Sequence, residues 1–215
     1  MTGWRGWLIV MLLHSMPLGC FAGTAGPVVP RSGRSAQDFV PSGWTLERQL
    51  TDDLNRDGRP DFALLLSPAD QQIDRLLVVG FGDAGGGFKL SAVKADLVMC
   101  QSCGGMLGDP LTDFRLERGV VVIQLYGGSR DRWGMTYRFR WQQNDWYLIG
   151  YTDEIGDTLL GTARTIDINW TTGAVITTET KLEQQTVTRA TRRMAPITLS
   201  AATMERVRQA AGIDH

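Results

Sequence analysis

Histidine is almost missing from this 215-residue chain, which carries two, His14 and His215, one near each end. A domain folded from the residues between them has no imidazole to serve as general base or metal ligand. That excludes Ser-His-Asp and Cys-His catalysis, and histidine-ligated zinc or iron. Carboxylate-pair chemistry survives, because it needs only Asp and Glu. Lysine is scarce as well, confined to Lys89, Lys94 and Lys181, and arginine carries most of the positive charge. The formal net charge is −1. There is no basic field to draw nucleic acid and no polybasic tract for a membrane surface. Long apolar runs are lacking too: Leu8–Leu13 is too short to cross a bilayer.

What stands at the start has a recognisable composition. Arg5, the Leu8–Leu13 run and small residues near Ala22 to Ala25 read as a signal peptide over residues 1–25. Gly19-Cys20 leaves a lipoprotein anchor on Cys20 as the alternative, although Pro17 and Leu18 suit it poorly. Both branches place the product outside the cytoplasm, periplasmic or extracellular, with no transmembrane segment after cleavage. Residues 26–38 are rich in Pro, Gly, Ser and Arg and read as a disordered linker. One domain is expected over residues 39–212.

Within that span the pattern is β. Trp44–Leu50, Phe62–Ser67, Leu76–Phe81 and Phe88–Val93 read as strands, the third apolar on both faces as in a buried central strand. Gly82–Gly87 precedes a strand and not a helix, so it is no phosphate-binding loop. Val120–Tyr126 is strongly β-prone. The next strand alternates, with Trp133, Met135, Tyr137, Phe139 and Trp141 on one face and Thr136, Arg138 and Arg140 on the other. Gln143-Asn144-Asp145 turns it onto Trp146–Tyr151, and Thr162–Trp170 and Ala174–Lys181 follow. Ser200–Ala211 suggests a short helix with Ser200 as N-cap and Gly212 as its stop. The expectation is a mostly β, single antiparallel domain, a sandwich or a partial propeller, with a short C-terminal helix. Cys100 and Cys103 are expected to form a disulfide stapling a Gly-rich loop, since Gly104, Gly105, Gly108 and Pro110 oppose the helix a redox C-x-x-C needs.

One stretch names a ligand. In Asp53-Leu54-Asn55-Arg56-Asp57-Gly58-Arg59-Pro60-Asp61, oxygen-bearing side chains recur at alternate positions. A curled backbone can aim Asp53, Asn55, Asp57, Asp61 and the carbonyl of Arg59 at one point. Ca²⁺ takes six to eight oxygens at ~2.3–2.6 Å. Gly58 stands sixth, where the turn is sharpest. An EF-hand would need a bidentate Glu at the twelfth position, where Leu64 stands, inside a strand-like apolar run. The competing reading is an Asx-rich turn without metal.

D-x-N-x-D-G-x-x-D followed by a strand resembles the calcium loops of FG-GAP and VCBS repeat proteins. The order of Phe39–Trp44, the Asp53–Asp61 loop, Gly104-Gly105 with Gly108-Asp109-Pro110, Tyr126–Ser129, Tyr137–Arg140 and Tyr147–Tyr151 also resembles a wider group of exported bacterial β-rich proteins. The likeness covers roughly residues 39–175, with one copy of the loop where propellers repeat it. It implies a secreted β domain with a calcium loop, and no enzyme activity to carry over.

Three functions compete on these residues. The leading one is an exported, non-catalytic binding module with structural Ca²⁺ and a protein or glycan partner. The second is a carbohydrate-active enzyme or carbohydrate binder. It would use acids among Glu47, Glu117, Asp153 and Glu154, and an aromatic platform of Trp133, Tyr137 and Trp146, although such a face is more often core. The third is an inhibitor or immunity protein for another exported protein, acting through a protruding loop such as Cys100–Pro110.

Overall fold

The alternation of the aromatic strand becomes one wall of the core. In the computed structural model, which describes residues 27–213, Tyr137 and Phe139 are fully buried and Met135 nearly so, all three in the main hydrophobic cluster. The reason is the period of two, which sends every second side chain to the same face.

Two antiparallel sheets carry the fold. The first contains β1 (Ser32–Gly33), β2 (Trp44–Asp52), β3 (Asp61–Pro68), β4 (Arg75–Gly82) and β5 (Phe88–Val98), in spatial order β1-β5-β4-β3-β2. The second is a meander of β6 (Leu111–Glu117), β7 (Val120–Gly128), β8 (Asp131–Gln142), β9 (Asp145–Asp157), β10 (Thr162–Asn169), β11 (Ala174–Lys181) and β12 (Gln184–Thr191), each paired with its sequence neighbours. The β8–β9 hairpin closes through Gln143 and Asn144, both at positive φ, the turn that matches strand twist.

The inner faces share one core. Leu65, Leu77 and Val79 from the first sheet join Ile123, Leu125, Tyr137 and Phe139 from the second. Helix α1 (Met204–Ala211) adds Val207 and Ala211 to it. Its N-cap is Thr203 and not Ser200: the Thr203 hydroxyl accepts the Arg206 N–H at 3.1 Å. Gly212 ends it in the left-handed conformation, as its position suggests. Among the described residues no helix is long and apolar enough to cross a membrane.

Residues 27–38 do not form the disordered linker their composition suggests. Ser32–Gly33 pairs with β5, a short 3-10 turn spans Ala36–Phe39, and Phe39 is fully buried. This segment lies over the outer face of the first sheet, where Phe39, Phe62, Leu64, Leu66 and Val78 form a second, smaller core. β3 and β4 are apolar on both faces because both faces are covered. Gly80 is part of that packing, since a Cβ there would sit 2.3 Å from the Phe62 ring. The signal-peptide reading of residues 1–25, Cys20 included, lies outside the described residues.

A buried cation ties the two sheets together. Arg75 on β4 has a side chain with no solvent exposure. Its Nε donates to Glu47 Oε2 at 2.7 Å, its Nη1 to the Met99 carbonyl at 2.6 Å and its Nη2 to Asp109 Oδ2 at 2.5 Å. Glu47 is on β2, and Asp109 leads into β6 of the second sheet. Burial would raise the Glu47 carboxyl, but hydrogen bonds from Arg75 and Ser67 outweigh it and hold it below its ordinary value. Next to this node, Cys100 and Cys103 form the expected disulfide, with Cα atoms 5.2 Å apart.

Truncating Arg75 leaves two carboxylates facing a desolvated hole. Removing one partner of a buried pair costs roughly 3–5 kcal/mol, and the lower end applies because both acids keep some solvent. Arg75→Ala should therefore lower the unfolding free energy by about 3 kcal/mol in urea. Arg75→Lys should recover only part of it, because one ammonium cannot serve three separated acceptors.

Candidate functional site

The Asp53–Asp61 loop joins β2 to β3 as a self-bonded turn. Arg56 and Gly58 both take positive φ, 65° and 81°, and this curls the backbone. Asp53 accepts the N–H groups of Asp57 and Gly58, at 3.1 and 2.9 Å. Asn55 Oδ1 accepts the Asp57 N–H at 3.0 Å, and Asp57 Oδ1 accepts the Arg59 N–H at 2.9 Å. Asp61 is fully buried and anchors the loop. Its Oδ2 accepts from Leu54 and Asn55, which joins the two ends of the loop, and its Oδ1 accepts the Gly82 N–H at 2.8 Å, which ties that junction to β4. Burial raises the Asp61 carboxyl above its ordinary value, against the pull of those three N–H groups.

The donor chemistry suits a hard cation: three carboxylates, an amide oxygen and a carbonyl, with no nitrogen or sulfur required. An oxygen that accepts one N–H keeps a second lone pair. In the conformation described, two groups hold the loop closed. Arg59 Nη2 lies 2.5 Å from Asp57 Oδ2, and the Asn55 amide donates to the same oxygen. Among the described residues, no three His, Cys, Asp or Glu side chains converge tightly enough to hold an ion. A cation would have to displace the Arg59 guanidinium, whose side chain is 45% exposed and also donates from Nε to the Gly82 carbonyl at 3.2 Å.

The aromatic residues expected to form a platform separate. Tyr137 and Trp146 are buried in the core and present no surface. Trp146 is fixed there by Nε1 donating to Ser91 at 2.9 Å. Trp133 alone is half-exposed, its ring seated over Gly127, where a Cβ would come within 2.4 Å.

The candidate acids also separate. Glu47 is held by Arg75, and Glu117 lies beside Arg115 at the end of β6. Asp153 and Glu154 are adjacent on β9, so they point to opposite faces of the sheet.

Two cavities flank Trp133. One, of about 630 Å³, has a floor from a single row of cross-strand partners, Trp133, Ile155, Arg164 and Glu179. This is the inner face of the second sheet, one row beyond Met135 and Asp153. No residue of the first sheet lines it, and Arg208 of α1 closes it from above. The other, of about 290 Å³, lies on the opposite face and includes Tyr126, Glu154 and Thr165. Those three share a row with Gly134, where a Cβ would fall 2.9 Å from Glu154 Oε2. Glycine there leaves room for both side chains.

Charge around the larger cavity is already partly spent. Asp157 accepts Arg130 Nη2 at 2.7 Å, and the N–H groups of Leu159 and Leu160 at 2.8 and 2.9 Å. The Arg130 bond and these N–H groups hold its carboxyl down at about 2. Asp153, 2% exposed, accepts Arg208 Nε at 2.9 Å and the Tyr151 hydroxyl at 2.7 Å. No sequence signal pointed to Arg164 and Arg208. They stand 44 positions apart in the chain, and only the packing of α1 on β9 and β10 brings them to one cavity.

No protein-family model, curated protein or solved structure matches this chain.

Asp157 gives a direct check of these electrostatics. Its carboxyl titrates lower in the folded state than in the unfolded chain. The stability it contributes is therefore complete above the ordinary value of 3.8 and lost as pH falls toward about 2. A side-chain NMR titration should put its midpoint near 2, and Arg130→Gln should move that midpoint up toward 3.8.

Proposed function

We propose that this chain is an exported, non-catalytic binding module in which Asp53, Asn55, Asp57, Asp61 and the Arg59 carbonyl hold a structural Ca²⁺. One observation carries the reading. The buried Asp61 ties the start of the loop to its end through the Leu54 and Asn55 N–H groups, and to β4 through the Gly82 N–H. The remaining oxygens are thus held on a fixed backbone, and in the absence of metal Asp53 and Asp57 repel one another. A cation would replace that repulsion with coordination and clamp the β2–β3 hairpin. The likeness of the loop to FG-GAP and VCBS calcium loops supports the same assignment. Export is supported by the composition of residues 1–25 and agrees with the disulfide, which persists in oxidising compartments.

Binding is favoured over glycoside hydrolysis by the state of the acids. Hydrolysis needs a proton donor and a base about 5–9.5 Å apart in one cleft. Asp157 shares the smaller cavity with Glu154, but its oxygens are already taken by Arg130 and by the N–H groups of Leu159 and Leu160, which leaves it poorly placed to act as base or nucleophile. The carbohydrate-binding reading keeps one supporting observation: Tyr126 and Glu154 line the same 290 Å³ cavity, an aromatic–carboxylate combination suited to sugar hydroxyls.

Thermal melting with and without a chelator tests the calcium assignment. A site with Kd of about 10 µM in about 1 mM free calcium gains roughly 2.7 kcal/mol by linkage. For a domain of this size that corresponds to a Tm higher by about 5–10 °C. Mg²⁺ should substitute poorly, since it demands a smaller octahedral cage. Asp57→Ala should abolish the calcium response while leaving the metal-free melt nearly in place. Superimposable melting curves at saturating calcium and in chelator would reduce the loop to a turn.

A further inference from the structure

We infer that the cavity between α1 and the β8–β11 strand ends binds a small organic oxyanion with a flat apolar body. This goes beyond the calcium assignment: it rests on the binding-module reading and supplies that module with a ligand class and a surface. The apolar half of the floor is formed by the half-buried Trp133 and Ile155. A volume of about 630 Å³ falls within the range of small-molecule sites, roughly 300–1,000 Å³. An indole floor favours a ring stacked on it over a flexible chain.

The polar groups select for negative charge. Arg132, Arg164 and Arg208 line the cavity and all three are half-buried. Arg208 is preset, because the buried Asp153 takes its Nε and Nη2, which leaves Nη1 as the remaining end. Arg132 spends one N–H on the Gly128 carbonyl at 3.2 Å. Arg164 makes no hydrogen bond or ion pair among the described residues, although Glu179 is its direct cross-strand partner. The acids of the cavity do not cancel this. Asp131 and Glu179 are exposed to solvent, Glu179 at the outer end of the floor row, and Asp157 is occupied by Arg130. An entering oxyanion therefore meets the half-buried Arg164 and the Nη1 end of Arg208, while Asp131 and Glu179 stay solvated and Asp157 is taken by Arg130. Guanidinium groups bind carboxylate, sulfonate and phosphate oxygens through the same forked geometry. The shared requirement is an oxyanion beside an aromatic ring.

Isothermal titration calorimetry with three naphthalene probes tests this on the mature protein. The probes are 2-naphthoate, 1-naphthyl phosphate and the uncharged 2-naphthalenemethanol. At least one anion should bind tenfold or more tightly than the alcohol, and the ranking of the two anions identifies carboxylate or phosphate as the better fit. Arg164→Gln, at a side chain with no hydrogen bond or ion pair among the described residues, should weaken the anion about tenfold and leave the alcohol unchanged. Arg164→Lys should recover part of the loss. Trp133→Ala should weaken all three probes. Equal affinity for the alcohol and both anions, unchanged anion binding in Arg164→Gln, or no anion heat at millimolar concentration would each overturn the assignment. Such a failure would leave the calcium response of the Asp53–Asp61 loop intact, so the two readings fail separately.

Discussion

A guanidinium with no access to water is costly to bury, and the partners of Arg75 determine how the two sheets meet. Arg75 must be satisfied from three directions, by Glu47 on β2, by the Met99 carbonyl after β5 and by Asp109 before β6. An uncompensated charge in such a place would cost several kcal/mol. The chain segments that supply those acceptors are therefore held in register. The Cys100–Cys103 turn is part of the same neighbourhood, with the Cys100 N–H donated to Asp74 and Gln101 bonded to Ser67. Around this node the first sheet is locked against the entry to the second.

The second sheet meets a different constraint. Its seven strands are long, and the first sheet with α1 covers only part of the inner face. Where cover exists, alternation buries Leu125, Tyr137, Tyr151 and Ile168. Where it ends, the same face continues as Trp133, Ile155, Arg164 and Glu179, and a cavity results. β12 goes further still, exposed along its whole length and held by backbone pairing to β11. The candidate sites thus fall where the structure leaves apolar surface or fixed charge incompletely enclosed. The Asp53–Asp61 loop lies on one sheet and the Trp133 cavity on the other, so the two candidate sites occupy separate parts of the fold.

Local chemistry was legible wherever the cause was local. The period of two in Trp133–Trp141, the double-faced apolar runs of β3 and β4, the Asn-containing hairpin turn and the Cys100–Cys103 staple all follow from neighbours in the chain. So does the curled Asp53–Asp61 loop, whose oxygens and glycine are all within nine residues. Residues 27–38 misled because their composition matches disorder, while Phe39 and Ala36 supply just enough apolar surface to seat the segment on a sheet. β6 and β12 escaped notice because charged and polar residues hide their period, and a partner strand holds them in place.

By itself, then, the amino-acid order determined a mostly β antiparallel domain, a disulfide-stapled turn and a loop with hard-cation chemistry, because these depend on spacing within a few residues. Tertiary structure alone decided which aromatics face water. Tyr137 and Trp146 share the pattern of Trp133, yet only Trp133 lies beyond the edge of the opposing sheet. It also decided that Asp153 serves Arg208, that Asp157 serves Arg130 and that the Arg164 side chain makes no hydrogen bond or ion pair among the described residues. Each of those facts depends on distances between segments tens of residues apart, and such distances exist only once the sheets have packed.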